Sequence, residues 1–310
     1  MTSAGGRCGA PAFRGGDCRP RLHRDRTPGH HRGDPARRSL ALRHALLLRR
    51  APGRTADRPP PAFPHRTAVP ALPDGRAGRA GGVDRWFFIR YADPHPHLRL
   101  RLHGEPALLN GVLLPRLHDL AGELARAGLA RGLRIDGYSP ETERYGGAAL
   151  LEAAEEVFHA DSLLVLERLA VPEDDRILSA AHDVAELVRA FHDGYGGDWR
   201  QWLTATYAKR EQHHKAFAAR RRAALARITR DGGPDAVGAP YRAAPRRFGR
   251  LVREEEERGT LSVTADAVLA SLVHMHCNRR LGTDRTAEVQ ALAVARGAVQ
   301  AQLDRERARS

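Results

Sequence analysis

Residues 86–104 read WFFIRYADPHPHLRLRLHG. Trp86–Tyr91 is an apolar, aromatic run of strand character, and Asp93-Pro94 and Pro96 turn the chain. From His97 onward polar and apolar residues alternate strictly. His97, Arg99, Arg101 and His103 point to one side and Leu98, Leu100 and Leu102 to the other, the period-two pattern of a half-buried β-strand. Two arginines two positions apart on one face lie roughly 7 Å from each other. A guanidinium pair flanked by imidazoles suits a carboxylate-bearing substrate. It also suits an edge strand whose wet face carries charge against edge-to-edge pairing, and on the strand alone that reading is the simpler.

Outward from this stretch, helical spacing runs from Glu105 to Ala127 through Leu109, Leu113, Leu117, Leu120 and Leu124, and Gly128 punctuates its end. Leu133–Tyr138 is a further strand, closed by Ser139-Pro140. Helical patterns then cover Gly147–Leu169, Ile177–Phe191, Trp199–Ile228, Val263–Leu281 and Thr286–Arg307, with a Gly/Pro-rich break over Gly232–Pro245. The fold class is α+β: a small β-sheet at the N-terminal part of the domain, then a mostly helical remainder, behind a disordered basic N-terminal arm.

That arm is residues 1–82. It holds 17 Arg, no Lys and 5 Asp, and so carries +12 of the chain's net +14. Residues 83–310, with 34 basic and 32 acidic side chains, are close to neutral, and no direct nucleic-acid binding is expected of them. With 11 of the 20 prolines, 12 of the 30 glycines and little apolar periodicity, the arm cannot offset its ordering entropy by burial. It reads as a disordered arm, a linker, or the out-of-frame translation of a GC-rich gene; the last best accounts for Arg, Pro, Gly and Ala without Lys. No run approaches the ~20 apolar residues that span a bilayer, and no signal peptide is evident. Three cysteines make no disulfide framework. A cytoplasmic protein without a membrane partner is expected.

No glycine-rich phosphate loop, nucleophile elbow or CxxC occurs. In His274-Met275-His276-Cys277, positions i and i+2 diverge by about 200° on a helix, so the two imidazoles do not converge on one ion and no metal site is expected. His274 shares a helix face with Ala267, Ser271 and Asn278. Small neighbours leave room for a substrate, and Asn278, one turn on, is placed to orient the imidazole; the alternative is a packed core histidine. Ser139–Gly147, SPETERYGG, follows a strand and opens a helix, which puts Arg144 where ligand-binding groups commonly lie, beside the Gly146-Gly147 amides. The alternative is an exposed turn in which Glu141 pairs with Arg144.

Three separated segments carry a resemblance: WFFIRYADPHPHLRLRLHG (86–104), DGYSPETERYGG (136–147) with the following FHADS (158–162), and SLVHMHCNRRLG (271–282). Together, in order and spacing, they resemble the C-terminal domain of lantibiotic dehydratases, also called the thiopeptide-type bacteriocin biosynthesis domain. The resemblance covers Val83–Arg307 and not residues 1–82. In that family another aromatic strand and a helix precede the Trp-Phe-Phe strand; neither is legible here, so the domain expected over 83–310 lacks its first strand and helix. The resemblance implies a stand-alone carbon–oxygen lyase that eliminates glutamate from glutamylated Ser or Thr of a ribosomal precursor peptide, leaving dehydroalanine or dehydrobutyrine. It implies a separate glutamyl-tRNA-dependent glutamylating protein as partner and no metal or organic cofactor. By resemblance, Arg99, Arg101 and Arg144 hold the glutamyl carboxylates and the developing enolate, and His274 moves the α-proton. His97, Glu143, Tyr145, Asn278 and Arg279 are the supporting, substrate-binding residues. A divergent branch of the family, which forms a pyridine ring from two dehydroalanines by a formal 4+2 cycloaddition, is the alternative. A non-catalytic peptide-binding scaffold or truncated remnant is the third.

Overall fold

Among the described residues four strands form the sheet: β1 (His44–Arg49), β2 (Val83–Tyr91), β3 (His97–Gly104) and β4 (Gly132–Asp136), all antiparallel, in the order β2-β3-β1-β4. The computed structural model describes residues 44–49, 83–207, 211–228 and 238–310, which fall within one unit, Leu40–Ser310. Alternation sets the register of β2 on β3. Trp86 lies opposite Leu102 and Phe88 opposite Leu100, while Phe87 lies opposite Arg101, Ile89 opposite Arg99 and Tyr91 opposite His97. The first set, with Leu98, faces the leucines of a helical stretch built from α1 (Pro106–Leu108), a π-helical turn (Leu109–Leu113) and α2 (Leu114–Arg126). Trp86, Leu102 and Leu109 are almost fully buried there, each contributing roughly 1.5–3 kcal/mol. The second set faces the helical layer.

Two expectations change here. β3 is not an edge strand: it lies between β2 and β1, and Arg101 is only 8% exposed. A strand also stands inside the segment read as a structureless arm. His44–Arg49, HALLLR, pairs with both β3 and β4, so the sheet takes a central strand from before residue 83. Arg43 and Arg49 bracket a run too short to register as a strand in isolation; it is paired on both sides only once β3 and β4 are in place. The rest of residues 1–82, and with it the expectation of disorder, lies outside the described residues.

The helical layer comprises α3 (Leu151–Ala170), α4 (Arg176–Tyr195), α5 (Trp199–Thr206), α6 (Glu211–Ile228), α7 (Ala239–Glu257), α8 (Ala265–Leu281) and α9 (Arg285–Arg307). Several of their N-termini are capped by side chains: Asp175 accepts from the amides of Ile177 and Leu178, Asp198 from Arg200, Thr264 from Ala267 and Asp284 from Thr286. α4 is buried nearly all round, through Ala180, Ala181, Val184, Ala185, Leu187, Val188 and Phe191, and is the axis of the layer. The long pattern Trp199–Ile228 is two helices. The break read over Gly232–Pro245 ends earlier, because Pro245 lies inside α7. A mid-helix proline loses an amide bond and crowds the preceding turn. Here it sits, buried, on the stripe Tyr241–Pro245–Phe248–Val252, which packs into the core and outweighs that cost.

α4 and α7 touch backbone to backbone. A Cβ on Gly194 would stand 1.9 Å from the Arg246 carbonyl oxygen, and one on Gly249 2.2 Å from that of Phe191. Backbone cannot swing aside as a side chain can, so the helices must part. Gly249→Ala is expected to cost about 1–3 kcal/mol, read as a lowered thermal midpoint with unchanged far-UV dichroism. Among the described residues no helix is long and apolar enough to cross a membrane.

Candidate functional site

Among the described residues no strand lies beside the outer edge of β2, yet backbone groups along it are paired. His159 Nδ1 donates to the Trp86 carbonyl at 2.9 Å, and the Phe88 amide donates to Ser162 Oγ at 3.4 Å, both partners on α3. Arg279 Nε donates to the Phe88 carbonyl at 2.9 Å. The Asn278 side-chain amide takes both groups of Arg90, accepting from its amide and donating to its carbonyl, each at 2.9 Å. The Trp86 carbonyl and both backbone groups of Phe88 and Arg90 are thus satisfied one after another by α3 and α8, which covers the edge. Arg279 is anchored in turn: its Nη1 donates to Asp161 Oδ2 at 2.9 Å, while His276 Nδ1 lies 2.6 Å from Asp161 Oδ1. Asn278 and Arg279 therefore hold β2, and the amide expected to orient His274 is committed to the Arg90 peptide. Asn278→Ala should cost about 1–3 kcal/mol by leaving two backbone groups unpaired, measured as a lowered urea midpoint.

The guanidinium face of β3 is laid against phenol rings. Arg99 stacks over Tyr91 with its Cζ 3.9 Å from the ring centroid, and His97 is parallel to the same ring at 5.1 Å. Arg99 Nε also donates to His97 Nε2 at 3.3 Å. Arg101 stacks over Tyr138 at 4.8 Å, and the Tyr138 hydroxyl donates to Glu155 at 2.9 Å. Arg101 Nε and Nη1 are buried with no hydrogen-bond partner among the described residues. Burial, and then the charge of Arg99, push its pKa down. Stacking fills the flat face of a guanidinium and leaves its in-plane donors for an anion.

Arg144 stands on a 3-10 turn, Thr142–Tyr145, closed by Gly146 at φ +94. Its Nε donates to Ser271 Oγ at 3.3 Å and its Nη1 to Glu141 at 3.1 Å. The pairing with Glu141 is the one read as the alternative, but the bond to Ser271 also fastens Arg144 to the α8 face that carries His274. Tyr145 is core: 4% exposed, edge-on to Phe158, its hydroxyl pushed up to about 12 by burial. Glu143 is exposed, and its backbone carbonyl accepts from Ser262.

His274 lies between these anchors. Ser271 and Asn278 are one turn before and after it, so Arg144 and the end of β2 meet α8 about 10 Å apart with His274 between them. The structure thus fastens Arg144 to the α8 face that carries His274 and sets His97, Arg99 and Arg101 in a row on one face of β3, against Tyr91 and Tyr138. His274 Nδ1 lies 2.9 Å from Glu288 Oε1 on α9, and its side chain is 29% exposed. The sequence reading did not single out Glu288, Tyr91 or Tyr138. Glu288 comes from a different helix and no short-range spacing points to it; the two tyrosines read as ordinary strand residues.

The Lantibiotic biosynthesis dehydratase C-term family model matches residues 69–299, beginning within the segment read as arm. Subtilin biosynthesis protein SpaB of Bacillus subtilis is 30% identical over 234 residues, 70% of this chain and 22% of SpaB. The tRNA-dependent lantibiotic dehydratase MibB of Microbispora sp. 107891 superposes with a TM-score of 0.70 at 32% identity, over 85% of this chain and 28% of MibB. The pyridine synthase TbtD from thiomuracin biosynthesis superposes with a TM-score of 0.58 at 16% identity, over 84% of this chain and 98% of TbtD, a likeness of fold. The chain spans about a fifth of the length of SpaB. With the three separated segments in contact through Arg279, Asp161 and the Arg144–Ser271 bond, and the family match running through all of them, the chain belongs to the lantibiotic biosynthesis dehydratase C-terminal family.

Proposed function

We propose that this chain is an elimination subunit, a carbon–oxygen lyase that removes glutamate from glutamylated Ser or Thr of a ribosomal precursor peptide. A peptide Cα–H is a weak acid, so the reaction needs a base and positive charge where the enolate develops. The α-proton passes to His274, the Cα–H electron pair forms the Cα=Cβ bond, the Cβ–O bond breaks, and glutamate leaves as a carboxylate with the Cβ–O pair. The leaving group needs cations rather than a proton, and Arg99, Arg101 and Arg144 provide them. The observation that carries this reading is Arg101: a buried guanidinium whose Nε and Nη1 have no partner among the described residues, stacked so that its donors stay available. Buried donors without partners call for an explanation; Arg279 and Arg280 hold such donors too but are ion-paired to Asp161 and Glu173, whereas Arg101 meets no carboxylate among the described residues, and an anionic substrate group would supply one. A separate glutamylating protein, using glutamyl-tRNA, would supply the substrate, and the chemistry asks for no metal or organic cofactor.

The test is to incubate the full chain with a synthetic peptide bearing a glutamyl ester of serine and follow it by mass spectrometry. Loss of glutamate with appearance of dehydroalanine is the expected result. An unchanged peptide, together with conversion of a bis-dehydroalanine peptide to a pyridine, would assign the chain to the cyclase branch. Binding without conversion of either would leave a scaffold.

A further inference from the structure

Two groups meet Nδ1 of His274 with opposite demands. Glu288 Oε1 and Oε2 lie 2.9 and 3.1 Å from it, and Arg285 Nη1 lies 3.0 Å from it. A carboxylate only accepts and a guanidinium only donates. Glu288 therefore requires a proton on Nδ1, and Arg285 requires a lone pair there. The two are not equally placed. Arg285 Nη1 already donates to Glu288 Oε2 at 2.9 Å, and its side chain is 74% exposed, so water serves its other donors. Glu288 is 14% exposed. Burial works against its charge, but the hydrogen bonds and charges of His274 and Arg285 hold its carboxyl below the usual range, so it is ionised at neutral pH. A bare Nδ1 would turn its lone pair on two carboxylate oxygens at contact distance, an uncompensated repulsion in a half-buried place.

We propose that Glu288 is a positioning residue that fixes His274 as the Nδ1–H tautomer and so makes Nε2 the atom that receives the α-proton, with Arg285 pinning the carboxylate rather than the imidazole. This rests on the reading of His274 as the base. Nε2 has no hydrogen-bond partner among the described residues, and the imidazole is partly open to solvent. A base whose second nitrogen is held by a carboxylate is a recurring device for presenting one lone pair.

The tautomer is read directly by long-range nitrogen–proton correlation on the full chain carrying nitrogen-15 histidine, with His274→Ala assigning the signal. The expected result is a protonated Nδ1 and a bare Nε2 at alkaline pH, retained in Arg285→Ala. In Glu288→Ala the Arg285 guanidinium is the remaining neighbour, and the proton should move to Nε2. A wild-type Nε2–H signal, or an unchanged tautomer in Glu288→Ala, would overturn the proposal; the wild-type measurement alone decides it if that variant does not fold. On the glutamyl-serine peptide, Glu288→Ala should lower kcat about 100-fold with KM little changed. If the tautomer behaves as stated while His274→Ala still eliminates at full rate, it is the catalytic reading of His274 that fails.

Discussion

His274→Ala is expected to slow elimination of glutamate from a glutamylated serine peptide by roughly 10²–10⁴-fold, the range for loss of a positioned general base. Glutamylated peptide should accumulate, visible by mass spectrometry in a single-turnover experiment. The same substitution should leave the fold intact. The imidazole is partly exposed, it belongs to neither core cluster, and Glu288 keeps Arg285 as an ion-pair partner at 2.9 Å. A loss of rate with an unchanged thermal midpoint thus separates chemistry from folding. Dehydration at the parental rate would remove His274 from the mechanism. The neighbouring His276 is the control for position. It points into the core, fully buried against Asp161, and its replacement should show as instability before it shows in rate.

Asp161→Ala should be the most destabilising single change in the helical layer. The carboxylate is 2% exposed; it receives Arg279, 1% exposed, and His276, which is fully buried. Its removal strands both, and breaking a buried pair from one side costs about 3–5 kcal/mol. The damage would spread, because Arg279 also holds the Phe88 carbonyl on the outer edge of β2. Burial alone would push the Asp161 carboxyl up, but the charge and hydrogen bond of His276, and then those of Arg279, hold it below its ordinary 3.8. A carboxyl depressed in the folded state stabilises above its unfolded value and loses that stabilisation as pH falls through the folded one. The stability gap between parent and variant should therefore be full at neutral pH and shrink below about pH 4. Urea titrations at neutral pH and in acid measure it. A variant within 1 kcal/mol of the parent would mean that the network contributes little.

Much of the sheet was legible in local pattern. Strict alternation over 97–103 placed three leucines on one face and the arginines on the other, and the structure keeps both sets where periodicity put them. Helix starts read from apolar spacing at Ile177 and Val263 fall within two residues of those in the structure, where Asp175 and Thr264 cap the first turns. Legibility failed where a local cost is met by distant packing. Pro245 read as a break because the Tyr241–Phe248–Val252 stripe stabilises α7 only once it meets α3 and α4. HALLLR read as part of an arm because six residues become a strand only between two others.

The candidate site divides the same way. Sequence by itself determined the chemical inventory: two arginines on one face of a strand, a third at a strand–helix junction, a histidine on a helix face with small neighbours. It could not apportion their duties, because hydrogen bonding is settled by which groups meet in space. Asn278 and Arg279 belong to the same motif as His274, yet their polar atoms go to the backbone of β2, while the partner of His274 comes from α9. Only the tertiary structure decided that, and for one physical reason: a sheet edge buried against helices must have its amides and carbonyls satisfied before any side chain there is left to do chemistry.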